Sequence, residues 1–201
     1  LSSAASDVYK RQGNIYIQFI YINVGVFVLT SLLGILWMLF NRNGAFILQY
    51  LELPAWTVQF IKQPWSLFTY MFMHGGFQHI FFNMFALWMF GRTLEQVWGP
   101  KRFLSYYMVC GIGAGLVQEL VQYIQYVTEL SQYDSVNTGI AVIPMAEYLN
   151  LMTTVGASGA IYGILLAFGM LFPNSQMFVF PIPFLSLIHI SEPTRPRLIS
   201  Y

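Results

Sequence analysis

The sequence predicts an all-α polytopic membrane protein, a bundle of apolar helices that cross a lipid bilayer. The 201 residues are 57% hydrophobic and only 8% charged, whereas about 25% charged residues are usual in soluble domains. One small core cannot bury so much apolar surface, so the bilayer must cover the rest. The net charge of +1 provides no basic stripe for phosphates, which excludes nucleic acid as a partner.

Hydropathy and turn signals divide the chain into four predicted spans. The first apolar run is long enough to cross a bilayer by itself. Gly75-Gly76 interrupts any helix before the second span, and Gly99-Pro100 makes a turn after it, with Pro100 suited to the first position of the third helix. Pro173-Asn174 stops the fourth. The predicted spans cover residues 15–40, 77–95, 102–127 and 155–172, with loops at 41–62 and 128–153.

The charges between the spans predict the orientation of the chain. The turn after the second span carries three cations, whereas the loop after the third carries three carboxylates and no cation. The positive-inside rule therefore places that turn in the cytoplasm and the mouth of the fourth helix outside. The cations are Arg92, Lys101 and Arg102, and the carboxylates are Glu129, Asp134 and Glu147.

Both ends of the chain differ from its apolar centre. Residues 1–12 are polar, and residues 185–201 introduce charges and prolines where a fifth span should be building. Both segments resemble translated sequencing-adapter read-through, and we expect them to be non-native. The predicted membrane domain is then 13–184.

A serine between small residues stands at the mouth of the fourth helix, in the sequence Gly156-Ala157-Ser158-Gly159. Serine needs an adjacent base to become a nucleophile. The first turn of a helix offers unpaired N–H groups to a developing negative charge. Ser158 has this position, and small neighbours permit a close approach. The alternative is simple packing, because Gly159 and Gly163 form a GxxxG pair.

Two polar side chains lie on one face of the second helix. His79 and Asn83 are four residues apart and can both donate hydrogen bonds while uncharged. Such donors suit an oxyanion in a site of low dielectric constant. The alternative is a polar clamp between helices. His74 lies in the preceding loop, and no Asp, Glu or Cys stands at a ligand spacing from the two histidines, so we expect no metal.

These residues resemble the core of the rhomboid intramembrane serine proteases. The stretch His79-Ile-Phe-Phe-Asn83 is similar to the family's second-helix motif, and Gly156-Ala-Ser158-Gly159 to its GxSG motif. Glu95 and Gly99 also fall where the family has a Glu and a Gly. The resemblance covers about residues 15–172 and implies a rhomboid-like helical bundle, of which this chain shows spans 1–4 of an expected six.

The resemblance also implies a mechanism. Ser158 would be the nucleophile of a Ser–His dyad that cleaves transmembrane protein substrates without a metal or cofactor. The Ser158 backbone N–H, His79 and Asn83 would form the oxyanion hole, with Gly156 and Gly159 in supporting positions. Tyr162 would pack against the catalytic histidine. Glu95 would tie the second helix to its neighbours.

The general base of the family lies on the sixth span, which this chain does not show. The later histidine here, His189, falls in the adapter-like segment. We therefore expect the chain as written to be inactive and its intact parent to be a protease of the bacterial cytoplasmic membrane, with Ser158 facing outward. The alternatives are a catalytically inactive rhomboid-like protein that binds membrane clients and a small channel or transporter.

Overall fold

The computed structural model describes residues 14–41, 48–55, 57–173, 175–178 and 185–187. It is a bundle of long apolar helices, which confirms the predicted all-α architecture. Among the described residues, two antiparallel pairs of short strands lie in the loops between the helices, and a third follows the last helix. The helices are α1 (Ile15–Asn41), α2 (Thr57–Lys62), α3 (Ser66–Thr69), α4 (Phe77–Ala86), α5 (Arg92–Trp98), α6 (Pro100–Gln125), α7 (Met145–Leu151) and α8 (Ser158–Leu171). The strands are β1 (Leu53–Pro54), β2 (Ser135–Asn137), β3 (Val142–Pro144), β4 (Thr153–Thr154), β5 (Gln176–Phe178) and β6 (Leu185–Leu187).

Two helices among the described residues are long and apolar enough to cross a membrane by length and composition. They cover Ile15–Phe40, with a mean hydropathy of 2.2, and Pro100–Leu130, with 1.3. Many side chains of the first are exposed, such as Leu39 at 73%. An apolar helix that leaves this much hydrocarbon uncovered is stable only where lipid replaces water.

The helix that carries His79 is longer than predicted and changes its hydrogen-bond pattern midway. A π-helical turn at Leu87–Gly91 joins α4 to α5, and the combined helix ends at Trp98 rather than at residue 95. Gly99 then adopts a φ of 78°, and Pro100 begins α6 as the turn signal predicted. Such π turns occur often beside functional sites.

The other helix boundaries also differ from the prediction. The third predicted span is α6, which continues through a π-helical turn, Tyr126–Leu130, and ends three residues later than expected. The fourth predicted span is α8, which begins at Ser158 instead of residue 155, because the preceding residues form β4 and a turn. The loop predicted at 128–153 contains the β2–β3 hairpin and α7.

Glu95 of α5 connects the start of α1 to the end of the second predicted span. Its two carboxylate oxygens accept the backbone N–H groups of Ile15 and Tyr16, each at 2.9 Å. The first N–H groups of a helix have no partner within it, and a carboxylate there also favours the helix dipole. This contact agrees with the structural role expected for Glu95. It places the start of α1 at the same end of the bundle as the Gly99 turn, here called the inner end.

The core lies where α1, α4, α6 and α8 meet. Phe19 stacks on Tyr107 with ring centroids 4.4 Å apart, and both side chains are buried. The small residues of α6 and α8 allow these two helices to approach closely: a Cβ at Gly163 would lie 2.5 Å from Cys110 Sγ. The hydroxyl of Tyr106 donates to the Gly163 carbonyl at 2.8 Å. Such small-residue seams are typical of packed membrane helices.

The outer loops are tied to the segment before α8 by a strand pair. In the β1–β4 pair, Leu53 faces Thr154 and Pro54 faces Thr153. The Thr153 hydroxyl also donates to a carboxylate oxygen of Glu52 at 2.5 Å. Because Ser158 follows four residues after Thr154, this pairing fixes the entry of the chain into α8.

Candidate active site

Ser158 lies in the first turn of its helix, as the sequence predicts; it is the first residue of α8 and follows a constrained turn. Gly156 has a φ of 123°, a conformation that side chains with a Cβ rarely adopt. Its backbone N–H donates to the carbonyl of Tyr70 at 2.9 Å. The turn therefore presents Ser158 at the N-terminal end of α8, where N–H groups lack partners within the helix.

The ring of His79 occupies the space that a side chain at position 156 would need. A Cβ on Gly156 would lie 2.6 Å from His79 Nε2 and 3.6 Å from Ser158 Oγ. The two predicted site residues, which are 79 positions apart, are thus gathered around one glycine. The absence of a side chain at Gly156 is a steric requirement of this arrangement.

Asn83 lies one helical turn after His79 and is buried, with 7% of its surface exposed. Its Nδ2 finds no hydrogen-bond acceptor among the described residues. A buried donor without a partner costs about 1–3 kcal/mol. Such a cost is tolerated where the donor serves a transient partner, so Asn83 is available to an oxyanion or a water molecule.

His74 lies beside His79 in the loop before α4. The two rings make an edge contact with centroids 5.2 Å apart, and His74 Nδ1 lies 3.3 Å from the carbonyl oxygen of Phe72. Burial, and next the neighbouring His79, lowers the pKa of His74 to about 4. His74 is therefore a neutral support behind His79 at physiological pH.

Gly159 faces α6, where a Cβ would collide with Ala114 and lie 3.6 Å from the hydroxyl of Tyr70. Its role in the structure is close helix packing, the alternative that the sequence left open for this glycine. Tyr162, by contrast, is 73% exposed. The predicted contact of Tyr162 with a catalytic histidine of the sixth span stays a prediction, because the described residues do not test it.

The part of the chain that the structure describes contains no group of three or more His, Cys, Asp or Glu side chains that could hold a metal ion. His74 and His79 are its two histidines. The imidazole of His79 and the amide of Asn83 can both donate hydrogen bonds while uncharged.

Sequence reasoning missed Tyr70, which connects three parts of the site. Its carbonyl accepts from Gly156, its hydroxyl donates to the Gly111 carbonyl at 2.5 Å, and its ring packs beside Gly115 and Gly159. The side chain is 3% exposed. A tyrosine in an aromatic-rich stretch has no distinguishing signal, although the nearby Gly111 and Gly115 indicate a surface built for a large partner.

Comparison with known proteins places these residues in a family. Residues 62–191 match the Rhomboid domain. The yeast mitochondrial Rhomboid protein 1 of Saccharomyces cerevisiae is 29% identical over 164 residues, which is 81% of this chain and 38% of that protein. The putative rhomboid protease YdcA of Bacillus subtilis is 31% identical over 100 residues, which is 50% of this chain and 37% of that protein.

The rhomboid protease AarA of Providencia stuartii is 33% identical over 100 residues, or 50% of this chain and 31% of that protein. In these alignments the chain spans less than two fifths of each relative's length. The family match nevertheless covers well over half of the chain and includes both predicted motifs. The chain belongs to the rhomboid family of integral membrane proteins.

Proposed function

We propose that this chain carries the serine half of an intramembrane serine endopeptidase. Ser158 Oγ is the nucleophile and attacks a peptide carbonyl of a transmembrane protein substrate. The observation that carries this proposal is the convergence of His79 Nε2 and Ser158 Oγ around Gly156. Membership in a family that includes named rhomboid proteases supports the same function.

The oxyanion formed by this attack receives hydrogen bonds from three donors. They are the backbone N–H of Ser158, the imidazole of His79 and the amide of Asn83. The position of Ser158 at the N-terminus of α8 and the unpaired Nδ2 of Asn83 support these assignments. Neutral donors that are fixed before the reaction stabilise the developing charge without reorganisation.

The length of α8 supports cleavage inside the outer half of the bilayer. Its 14 residues span about 21 Å, compared with a hydrocarbon thickness of about 30 Å. If the inner end of α8 lies at the inner boundary, Ser158 lies about 9 Å below the outer one. A substrate helix would be cut near its outer end, where its backbone unwinds most readily.

The base that accepts the serine proton is, in this proposal, a histidine outside the described residues. His74 is an unsuitable base because its pKa is lowered to about 4, and His79 serves as the oxyanion donor. The dyad then needs a further span, as the family resemblance implies, because the described residues hold no suitable base. The bacterial cytoplasmic membrane is the proposed location.

A fluorophosphonate probe, which labels activated serines, tests this assignment. We expect no labelling of the chain in detergent micelles, because the described residues hold no suitable base. We expect added imidazole to act as an external base and to restore labelling, and the Ser158→Ala variant to stay unlabelled.

Labelling of Ser158 without imidazole would show that this chain already holds a base. Equal labelling of wild type and Ser158→Ala would contradict the choice of nucleophile. No labelling at any imidazole concentration, in a chain with the helix content of the bundle, would favour the client-binding alternative.

A further inference from the structure

An apolar groove runs along the outside of the bundle between α1 and α4. Its volume is about 540 Å³, within the range of ligand pockets. Every side chain that lines it is apolar or aromatic, from Val28 and Phe77 near the outer end to Ile20 and Trp88 near the inner end. The groove therefore accepts a hydrocarbon chain and offers a polar group no partner along its length.

A polar pocket of about 240 Å³ lies at the inner end of the bundle, between the start of α1, α5 and the start of α6. Tyr16 of this pocket lies one helical turn before Ile20, and Arg92 lies one turn after Trp88. Asn14, Glu95 and Gln96 also line it. Helical spacing thus places the apolar groove and the polar pocket in line, and the two together are here called the channel, with an apolar length and a polar head.

The head of the channel contains one cation. Arg92 lines the pocket and is exposed. Glu95 also lines the pocket, but both its oxygens accept backbone N–H groups of α1. The carboxylate is therefore directed at the helix terminus, and the cation of Arg92 is the group that a ligand meets.

We propose that this channel binds one anionic phospholipid, with an acyl chain in the groove between α1 and α4 and the headgroup phosphate at Arg92. Basic pockets between membrane helices on the cytoplasmic side are suited to anionic headgroups. Trp88 lies between tail and head, where aromatic rings favour the interface. The site does not depend on the protease activity proposed above.

The occupant is a lipid rather than a protein helix because of the charge at the inner end. A transmembrane segment or a second copy of the chain would cover the apolar residues but would not use a cation at the phosphate level. A second groove provides an internal comparison. It has a volume of about 620 Å³ and is lined by α1, α3 and α6 residues such as Ile22, Phe68 and Met108. No cation lines it.

Photo-cross-linking in nanodiscs tests the site. The probes are phosphatidylglycerol and phosphatidylcholine that carry a diazirine near the end of one acyl chain, and the labelled peptides are mapped by mass spectrometry. We expect phosphatidylglycerol to label residues 20–28 and 77–88 more strongly than phosphatidylcholine. We expect both lipids to label the second groove equally.

Two charge variants form a matched pair. One surface cation contributes about fivefold to the binding of an anionic lipid. We therefore expect Arg92→Gln to lower the phosphatidylglycerol labelling of the groove about fivefold. Arg102→Gln removes the same charge from a neighbouring exposed position and should leave the labelling nearly unchanged.

A packing variant tests the tail separately. Val24 lines the groove and is 41% exposed, so Val24→Trp should fill it and abolish labelling there. Ile22→Trp in the second groove should leave the first groove labelled. Helix content measured for each variant separates loss of the site from loss of the fold.

Two results would overturn the proposal. The first is equal labelling by both lipids that Arg92→Gln does not change, which indicates unspecific annular lipid. The second is an unlabelled groove in a chain that forms a dimer by native mass spectrometry, which indicates a second copy on this face.

Discussion

The carbonyl oxygen of Tyr70 accepts a hydrogen bond from the backbone N–H of Gly156 at 2.9 Å. The same tyrosine donates its hydroxyl to the Gly111 carbonyl of α6. One residue of the outer loop therefore fixes both the turn before the candidate nucleophile and the helix behind it. The arrangement of the site depends on this loop as well as on the two motifs.

The hydroxyl of Tyr70 is expected to contribute to stability. Tyr70→Phe keeps the ring packing but leaves the buried Gly111 carbonyl without this donor, which should cost about 1–2 kcal/mol. Thermal unfolding in detergent measures the change. Tyr162→Phe removes a hydroxyl from a ring that is 73% exposed and should leave the midpoint unchanged. Equal effects of the two variants would refute the role of Tyr70.

Gly156 should tolerate no side chain. In Gly156→Ala the new Cβ collides with the His79 ring and the backbone is strained at a φ of 123°. A displacement of about 1 Å at a reacting group costs about 100-fold in rate, so imidazole-supported labelling of Ser158 should fall by about that factor.

The control for Gly156 is a glycine with open space around it. A Cβ on Gly113 of α6 meets nothing within 4 Å, and alanine is the better helix former by up to about 1 kcal/mol. Gly113→Ala should therefore keep its labelling and be as stable as wild type or more so. Normal labelling of Gly156→Ala would mean that His79 does not lie where the structure places it.

Asn83 is expected to act on the rate of acylation. Asn83→Ala removes one oxyanion donor, which typically lowers the rate about 100- to 1,000-fold. The imidazole-supported labelling rate of Ser158 should fall within that range, while the midpoint of thermal unfolding should not decrease, because Nδ2 has no partner to lose. A stability loss without a rate loss would instead identify Asn83 as a polar clamp.

The stability of the fold should depend on pH through His74. Its pKa is lowered from 6.5 to about 4, so between these values the unfolded chain binds a proton that the folded protein does not. The free energy of unfolding should therefore decrease as the pH falls from about 6.5 toward 4. Chemical unfolding at a series of pH values measures the slope.

The variant that tests this assignment is His74→Gln, which cannot titrate. Its unfolding free energy should change less between pH 6.5 and 4 than that of the wild type. A slope that is identical in the two proteins would assign the pH dependence to other groups. Activity is not needed for this measurement.

The carboxylate of Glu95, which accepts two N–H groups at the start of α1, should contribute to the stability of the fold. Glu95→Ala leaves two N–H groups without their acceptor and should cost about 1–2 kcal/mol, whereas Glu95→Gln keeps one acceptor and should cost less. Gln96→Ala changes an exposed neighbour and provides the control. Thermal unfolding in which Glu95→Ala and Gln96→Ala coincide would contradict the capping role.

The motif residues of the site could be predicted from the sequence because their chemistry is unusual in lipid. A serine, a histidine and an asparagine in apolar helices point to function, and helical spacing places His79 and Asn83 on one face. The proximity of Ser158 and His79 to Gly156 is consistent with that prediction. The catalytic roles remain proposals that the variants above test.

The loop contacts could not be predicted in the same way. The β1–β4 pair joins Leu53–Pro54 to Thr153–Thr154, about 100 positions apart in the chain. Its bonds run between backbone groups, which every residue carries, so no side-chain pattern indicates them. The π-helical turn at Leu87–Gly91 likewise leaves no mark in an apolar run.

The Glu95 cap also bears on how the protein is made. The acceptor of the Ile15 N–H lies 80 positions later in the chain, which corresponds to roughly 4–16 s of synthesis at about 5–20 residues per second. During that time the first helix must enter the bilayer with its leading amides solvated by water. The N-terminal end of α1 must therefore stay at the membrane surface until α5 has been synthesised and Glu95 can accept its N–H groups.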